Sequence, residues 1–172
     1  MGHYVDGKKH GEFQFYTKDG LLSEYLQYSM GNLDGKCIWY DAYGFVRLTG
    51  QYSKGVKNGP FSWYNNRKLV HFENYSMNKL DGRSVWYNAD GKVSAVGHFK
   101  NGVRTGFFAW YSDKIQQDGK YAWYNESGQL ESSGHKKDGL WHGEWKDYYP
   151  NGALKTSGEF HEGERHSRWI WY

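Results

Sequence analysis

The stretch that decides the fold is Gly82-Arg83-Ser84-Val85-Trp86-Tyr87-Asn88-Ala89-Asp90-Gly91-Lys92-Val93-Ser94-Ala95-Val96-Gly97-His98-Phe99-Lys100-Asn101-Gly102. Gly82 is followed five residues later by Tyr87. A turn-like Asn88-Ala89-Asp90 leads to Gly91, and an extended run, 93–99, leads to Gly102. The order is strand, four-residue turn, strand, Gly-ended turn, which is the signature of consecutive hairpins. The same spacing recurs at Gly11/Tyr16, Gly35/Tyr40, Gly59/Tyr64, Gly106/Tyr111, Gly119/Tyr124 and Gly143/Tyr148, with Ser167 in the Gly place before Tyr172. The Tyr-to-Tyr steps are 24, 24, 23, 24, 13, 24 and 24 residues. A second Gly lies four residues before the first at Gly7, Gly31, Gly55, Gly102, Gly139 and Gly163, and Asn78 stands in once. Asn is the non-Gly residue that best tolerates a left-handed backbone, so a positive φ is expected at Asn78.

Composition agrees with short strands and excludes several classes. Of 172 residues, Trp 9, Tyr 16 and Phe 9 together outnumber the 21 Ile, Leu and Val residues. The mean hydropathy of −0.95 would suit a disordered chain, but disordered segments are poor in aromatics. One Cys excludes an intrachain disulfide framework and a zinc ribbon. No run approaches the ~18 apolar residues of a membrane-spanning helix, and no signal peptide opens the chain, so a cytoplasmic setting is favoured. A net charge of +3 with 22 basic and 19 acidic residues interleaved argues against a nucleic-acid partner.

The runs Val5-Asp6-Gly7-Lys8-Lys9-His10-Gly11, Lys100-Asn101-Gly102-Val103-Arg104-Thr105-Gly106 and Asp138-Gly139-Leu140-Trp141-His142-Gly143 resemble MORN repeats. The added Trp-Tyr, Gly and aliphatic series is similar to the bacterial MORN-variant repeat, which is found in YwqK-type antitoxins. The resemblance covers essentially residues 2–172. It implies an all-β, elongated, twisted single-layer antiparallel meander of about eight ~24-residue hairpins. It also implies protein scaffolding, dimerisation as a homodimer, and phospholipid contact. The function expected is a non-catalytic protein-protein interaction module or scaffold of antitoxin or immunity type that binds and neutralises a protein. The alternative is a membrane-associated scaffold on anionic headgroups. Against that alternative, the turn cations Lys8, Lys9, Lys57, Lys79, Arg104 and Arg165 are offset by Asp34, Asp81 and Glu164. A polybasic patch needs about 4–8 clustered cations.

Side chains alternate across a strand, so the second and fourth residues after each repeat Gly share a face. These are Phe13/Phe15, Cys37/Trp39, Phe61/Trp63, Ser84/Trp86, Phe108/Trp110, Tyr121/Trp123, Trp145/Asp147 and Trp169/Trp171. Cys37 reads as a small buried hydrophobe in this ladder. The Tyr row lies on the opposite, more exposed face. Candidate partner-binding residues are Trp39, Trp63, Trp86, Trp110 and Trp123 with Tyr64, Tyr87 and Tyr111, because exposed aromatic strips suit binding hot spots. No nucleophile elbow, phosphate loop, dinucleotide fingerprint or HExxH motif occurs, so no enzyme activity, catalytic residue, cofactor or metal is expected.

Two irregularities stand out in one array spanning 1–172. Lys68 replaces the Gly after Tyr64, in the 23-residue step. The 13-residue step lacks about one strand, so 112–118 should connect two strands of the same kind, dividing the array into 2–111 and 119–172. Strands 107–111 and 120–124 should then pair directly, with Phe108/Trp110 and Tyr121/Trp123 able to share a face if register allows. Later turns should emerge on the opposite edge. About 15 strands at ~4.8 Å predict a length near ~70 Å. Small-angle scattering should therefore give a radius of gyration well above the ~16 Å of a compact domain of this length, and a compact value would exclude the single-layer array.

Overall fold

The computed structural model describes residues 2–112 and 117–172, and the chain divides into two compact units, Met1–Gly82 and Arg83–Tyr172. The described residues form strands and turns without a helix. The first unit contains β1 (His3–Val5), β2 (Lys8–Tyr16), β3 (Leu22–Ser29), β4 (Asn32–Tyr40), β5 (Val46–Ser53), β6 (Val56–Asn65), β7 (Lys68–Ser76) and β8 (Lys79–Leu80). The second begins inside β9 (Gly82–Tyr87). It continues through β10 (Val93–Lys100), β11 (Val103–Tyr111), β12 (Gly119–Tyr124), β13 (Leu130–Lys137), β14 (Leu140–Trp141), β15 (Gly143–Tyr148), β16 (Leu154–His161) and β17 (Glu164–Trp171). In each unit the strands pair antiparallel in sequence order, as a meander of hairpins. The short β8 and β14 are the leading pieces of strands that break at Asp81 and His142.

Two turn types alternate, and both follow from the backbone. Pairs such as Lys54-Gly55 (φ 50 and 83) and Asn101-Gly102 (φ 52 and 86) are left-handed at both central residues, the geometry that joins right-twisted strands in two residues. Met77-Asn78 (φ 50 and 66) does the same without Gly, as expected of Asn78. Asn78 also accepts a hydrogen bond from the Lys57 amide on its Oδ1 at 2.7 Å. At the four-residue turns the first side chain caps the loop. Asp41 Oδ1 accepts from the amides of Tyr43 and Phe45 at 2.9 Å, and Asn88 Oδ1 from Asp90 and Lys92 at 3.0 Å. In the short repeat this turn is replaced by the left-handed pair Asn66-Arg67 (φ 48 and 64), which explains the missing residue and Lys68.

The core lies between neighbouring strands. Ten hydrophobic side chains are buried among the described residues, so rings must cover neighbouring backbone rather than fill a thick interior. Four return strands carry Gly where the next strand's ring lies on it. A Cβ on Gly50 would stand 2.2 Å from Phe61, on Gly97 2.1 Å from Phe108, on Gly134 2.5 Å from Trp145, and on Gly158 2.4 Å from Trp169. At one site the volumes are exchanged: Leu26 takes the Gly place and faces the fully buried Cys37. At another, Glu73 takes it, opposite Phe61, and is 8% exposed. Glu73 is held on its own strand, accepting from Tyr75 Oη at 2.5 Å and lying 3.1 Å from His71 Nε2. Burial, reinforced by Glu73, raises the Tyr75 phenol above its ordinary value. Burial lowers the His71 imidazole, with Glu73 pulling the other way.

The 13-residue step pairs β11 directly with β12, as its length requires. The partners are Phe107↔Trp123, Ala109↔Tyr121 and Tyr111↔Gly119. Residues 113–116 of the expected connection lie outside the described residues. Directly opposed residues share a face, so Phe108 and Trp110 do not share one with Tyr121 and Trp123. The omitted strand therefore transfers the ladder to the other face of the second unit, where the sequence reading allowed one continuous face. The edges exchange as well. The four-residue turn at Gly128 abuts Val103, next to the two-residue turn Asn101-Gly102, and Gly139 donates to Asp118 Oδ1 at 2.9 Å. Asp147, the one non-aromatic residue in the Trp place of the repeat, accepts from Trp145 Nε1 at 2.9 Å.

Two outcomes follow for stability. Gly97→Leu should cost about 1–3 kcal/mol in urea titration through overpacking against Phe108, and adding Phe108→Cys, which copies the Leu26–Cys37 pair, should recover most of it. Because His71 is harder to protonate in the fold than in the open chain, stability should decline as pH falls through about 6.5. His71→Phe should remove that part of the slope in denaturation midpoints measured from neutral to mildly acidic pH.

Candidate functional site

The fourth residue after the repeat Gly is a ring in every repeat except the one carrying Asp147, and at Trp39 and Trp63 a neighbouring strand supplies a residue that fills the space beside the ring. Trp39 faces Glu24 on one side and Leu48 on the other. Leu48 also faces Trp63, and Trp63 is followed by His71, whose ring stacks on the indole at 5.0 Å and 28°. In the second unit β10 lies between the strands carrying Trp86 and Trp110, and the residue opposite Trp110 is Ala95. A methyl group cannot fill what Leu48 or His71 fills. The result is a cleft of about 590 Å³ lined by Trp86, Ala95, Phe99, Arg104, Phe108 and Trp110, with Ser94 and Tyr111 at its margin. Phe108 is its closed side at 2% exposure, with Phe99 edge-on at 5.4 Å.

Cations sit over the rings at a fixed place, two residues before the repeat Gly. Lys9 Nζ lies 5.3, 4.7 and 4.9 Å from the Phe13, Phe15 and Tyr28 rings. Lys57 lies 4.9, 5.8 and 4.6 Å from Phe61, Trp63 and Tyr75. Arg104 lies 5.4, 5.8 and 5.9 Å from Phe108, Trp110 and Tyr124, and donates to Tyr124 Oη at 3.4 Å. Arg165 lies 4.2 Å from Trp169. Each such contact is worth roughly 0.5–1 kcal/mol at an exposed site and lays the aliphatic stem on apolar surface. Four of the six turn cations counted from the sequence are thus folded back onto the ladder.

The eight sequence-derived candidates, Trp39, Trp63, Trp86, Trp110, Trp123, Tyr64, Tyr87 and Tyr111, are all half-buried. The Tyr row is no more exposed than the Trp ladder, except at Tyr16 (58%) and Tyr172 (61%). Trp86 and Trp110 meet in the cleft. Trp123 lies on the opposite face of the second unit in a ring cluster with Phe107 at 5.5 Å, Trp141 at 5.9 Å and Trp145 at 5.8 Å. Sequence reasoning passed over Ala95 and Arg104 as site residues. The signal was present, since Ala95 occupies the place held by Leu48 and His71 in other repeats. Among the described residues no group of three His, Cys, Asp or Glu side chains is placed to hold a metal ion, and no helix is long and apolar enough to cross a membrane.

No curated protein matches the chain. The family model described as MORN repeat variant matches residues 80–101, 117–137 and 141–162, so three segments of this chain are similar to repeats of that kind, which are generally protein- or membrane-binding modules.

Proposed function

We propose that the chain is a non-catalytic protein-interaction module that holds a partner protein against its aromatic ladder, in the manner of an antitoxin or immunity protein that neutralises what it binds. The observation that carries this is the Trp86–Trp110 cleft, a half-buried aromatic recess at a place that Leu48 and His71 fill beside Trp63. Recessed aromatic rings at a partly exposed surface are the usual anchors of protein interfaces. The repeat family supports a binding role of this general kind. The membrane alternative is weakened by the cations, because Lys9, Lys57, Arg104 and Arg165 lie over rings.

Affinity capture from native lysate tests the reading, with Trp110→Ala as the comparison and circular dichroism to verify its fold. A protein partner retained by the wild type should be held about tenfold more weakly or worse by Trp110→Ala. Co-expression of the chain should relieve any toxicity of that partner. Sedimentation with phosphatidylserine vesicles that is unaffected by Trp110→Ala, with no protein captured, would replace this reading with the membrane scaffold.

A further inference from the structure

We infer that the Trp86–Ala95–Trp110 cleft is a receptor for one aromatic side chain of a partner polypeptide, flanked in that partner by carboxylates. The inference rests on the protein-binding reading and specifies its ligand.

The occupant is indicated by the chain's own fillers. Between Trp39 and Trp63 the place is taken by Leu48, and beside Trp63 by the stacked ring of His71. The complementary object is thus a large apolar or flat side chain standing between strands 107–111 and 82–87. Ala95 leaves that object to be supplied from outside. The cleft's volume of about 590 Å³ lies within the range of ligand pockets and exceeds what a single side chain requires, leaving room for neighbouring backbone.

The flanking charge comes from the rim. Arg104 is exposed and lies 5.8 Å from Trp110. Lys120 is exposed and directly opposite Trp110 on the next strand. Among the described residues no carboxylate lines the cleft. The acidic residue lining the adjoining recess, Glu144, is engaged by Lys146 at 2.7 Å. A guanidinium and an ammonium on one side of an indole favour an incoming segment with Asp or Glu beside its ring, and disfavour a basic one.

The test is a titration of isotope-labelled protein with the peptide acetyl-Glu-Phe-Glu-amide, following the indole N–H signals of the tryptophans. Trp86 and Trp110 should move together, and added salt should weaken the effect. Acetyl-Glu-Ala-Glu-amide and acetyl-Lys-Phe-Lys-amide should each bind at least about tenfold more weakly. The decisive variant is Ala95→Leu, which supplies the filler that Leu48 provides elsewhere. It should fold with an unchanged or higher melting temperature and lose the peptide.

Undiminished binding by Ala95→Leu, or shifts confined to other tryptophans, overturns the inference. So does equal binding of phenylacetate, which would mark a small-molecule site. Should the protein captured above be lost with Trp110→Ala yet retained by Ala95→Leu, the interaction module stands and the slot falls. Peptide binding in the slot with no captured protein would support the slot chemistry and overturn the module.

Discussion

The structure depends on one packing constraint: a ring on one strand must lie on the backbone of the strand before it. A chain with few aliphatic residues and hairpin-sized units has no thick interior in which to hide side chains. Rings laid on Gly50, Gly97, Gly134 and Gly158 remove both ring face and peptide from water at once. The constraint is on summed volume across a pair of strands, not on residue type. That is why Leu26 can replace Gly where Cys37 replaces a ring. It is also why Glu73 is accommodated only with Tyr75 and His71 as polar partners on the same strand.

The same economy governs charge. Lys9, Lys57 and Arg104 occupy equivalent places two residues before a positive-φ Gly, and each lies over rings of its own and the neighbouring strand. Their stems extend the apolar cover and their charged ends stay in water. A count of cations in the turns therefore overstates the charge available to a membrane. Arg104 differs from Lys57 in what lies beneath it, since the neighbouring place is held by Ala95 and not by a bulkier filler.

The 13-residue step has consequences beyond its own residues because strand parity is discrete. Removing one strand reverses the direction of every strand after it, and the observed register then exchanges faces. The second unit consequently presents rings on both faces, Trp86 and Trp110 on one, and Trp123, Trp141 and Trp145 on the other. Turns of the two kinds exchange edges at the same point, and Asp118 supplies a hydrogen bond to Gly139 there.

The sequence by itself determined the all-β class, the hairpin unit, the left-handed turn at Asn78, the burial of Cys37 and the direct pairing of 107–111 with 120–124. Each of these is set by local chemistry or by length: Gly and Asn mark the positive φ, alternation sets the faces, and a missing strand shows as missing residues. Only the tertiary structure decided which face Trp123 joins, because a register shift of one residue leaves composition and spacing unaltered while inverting every side chain. It alone showed that the turn cations lie on rings and that the Tyr row is as covered as the Trp ladder, since side-chain direction is not encoded in period. It also picked out Ala95. Its effect depends on Trp86 and Trp110, nine and fifteen residues away in sequence, which the strand order brings to either side of it.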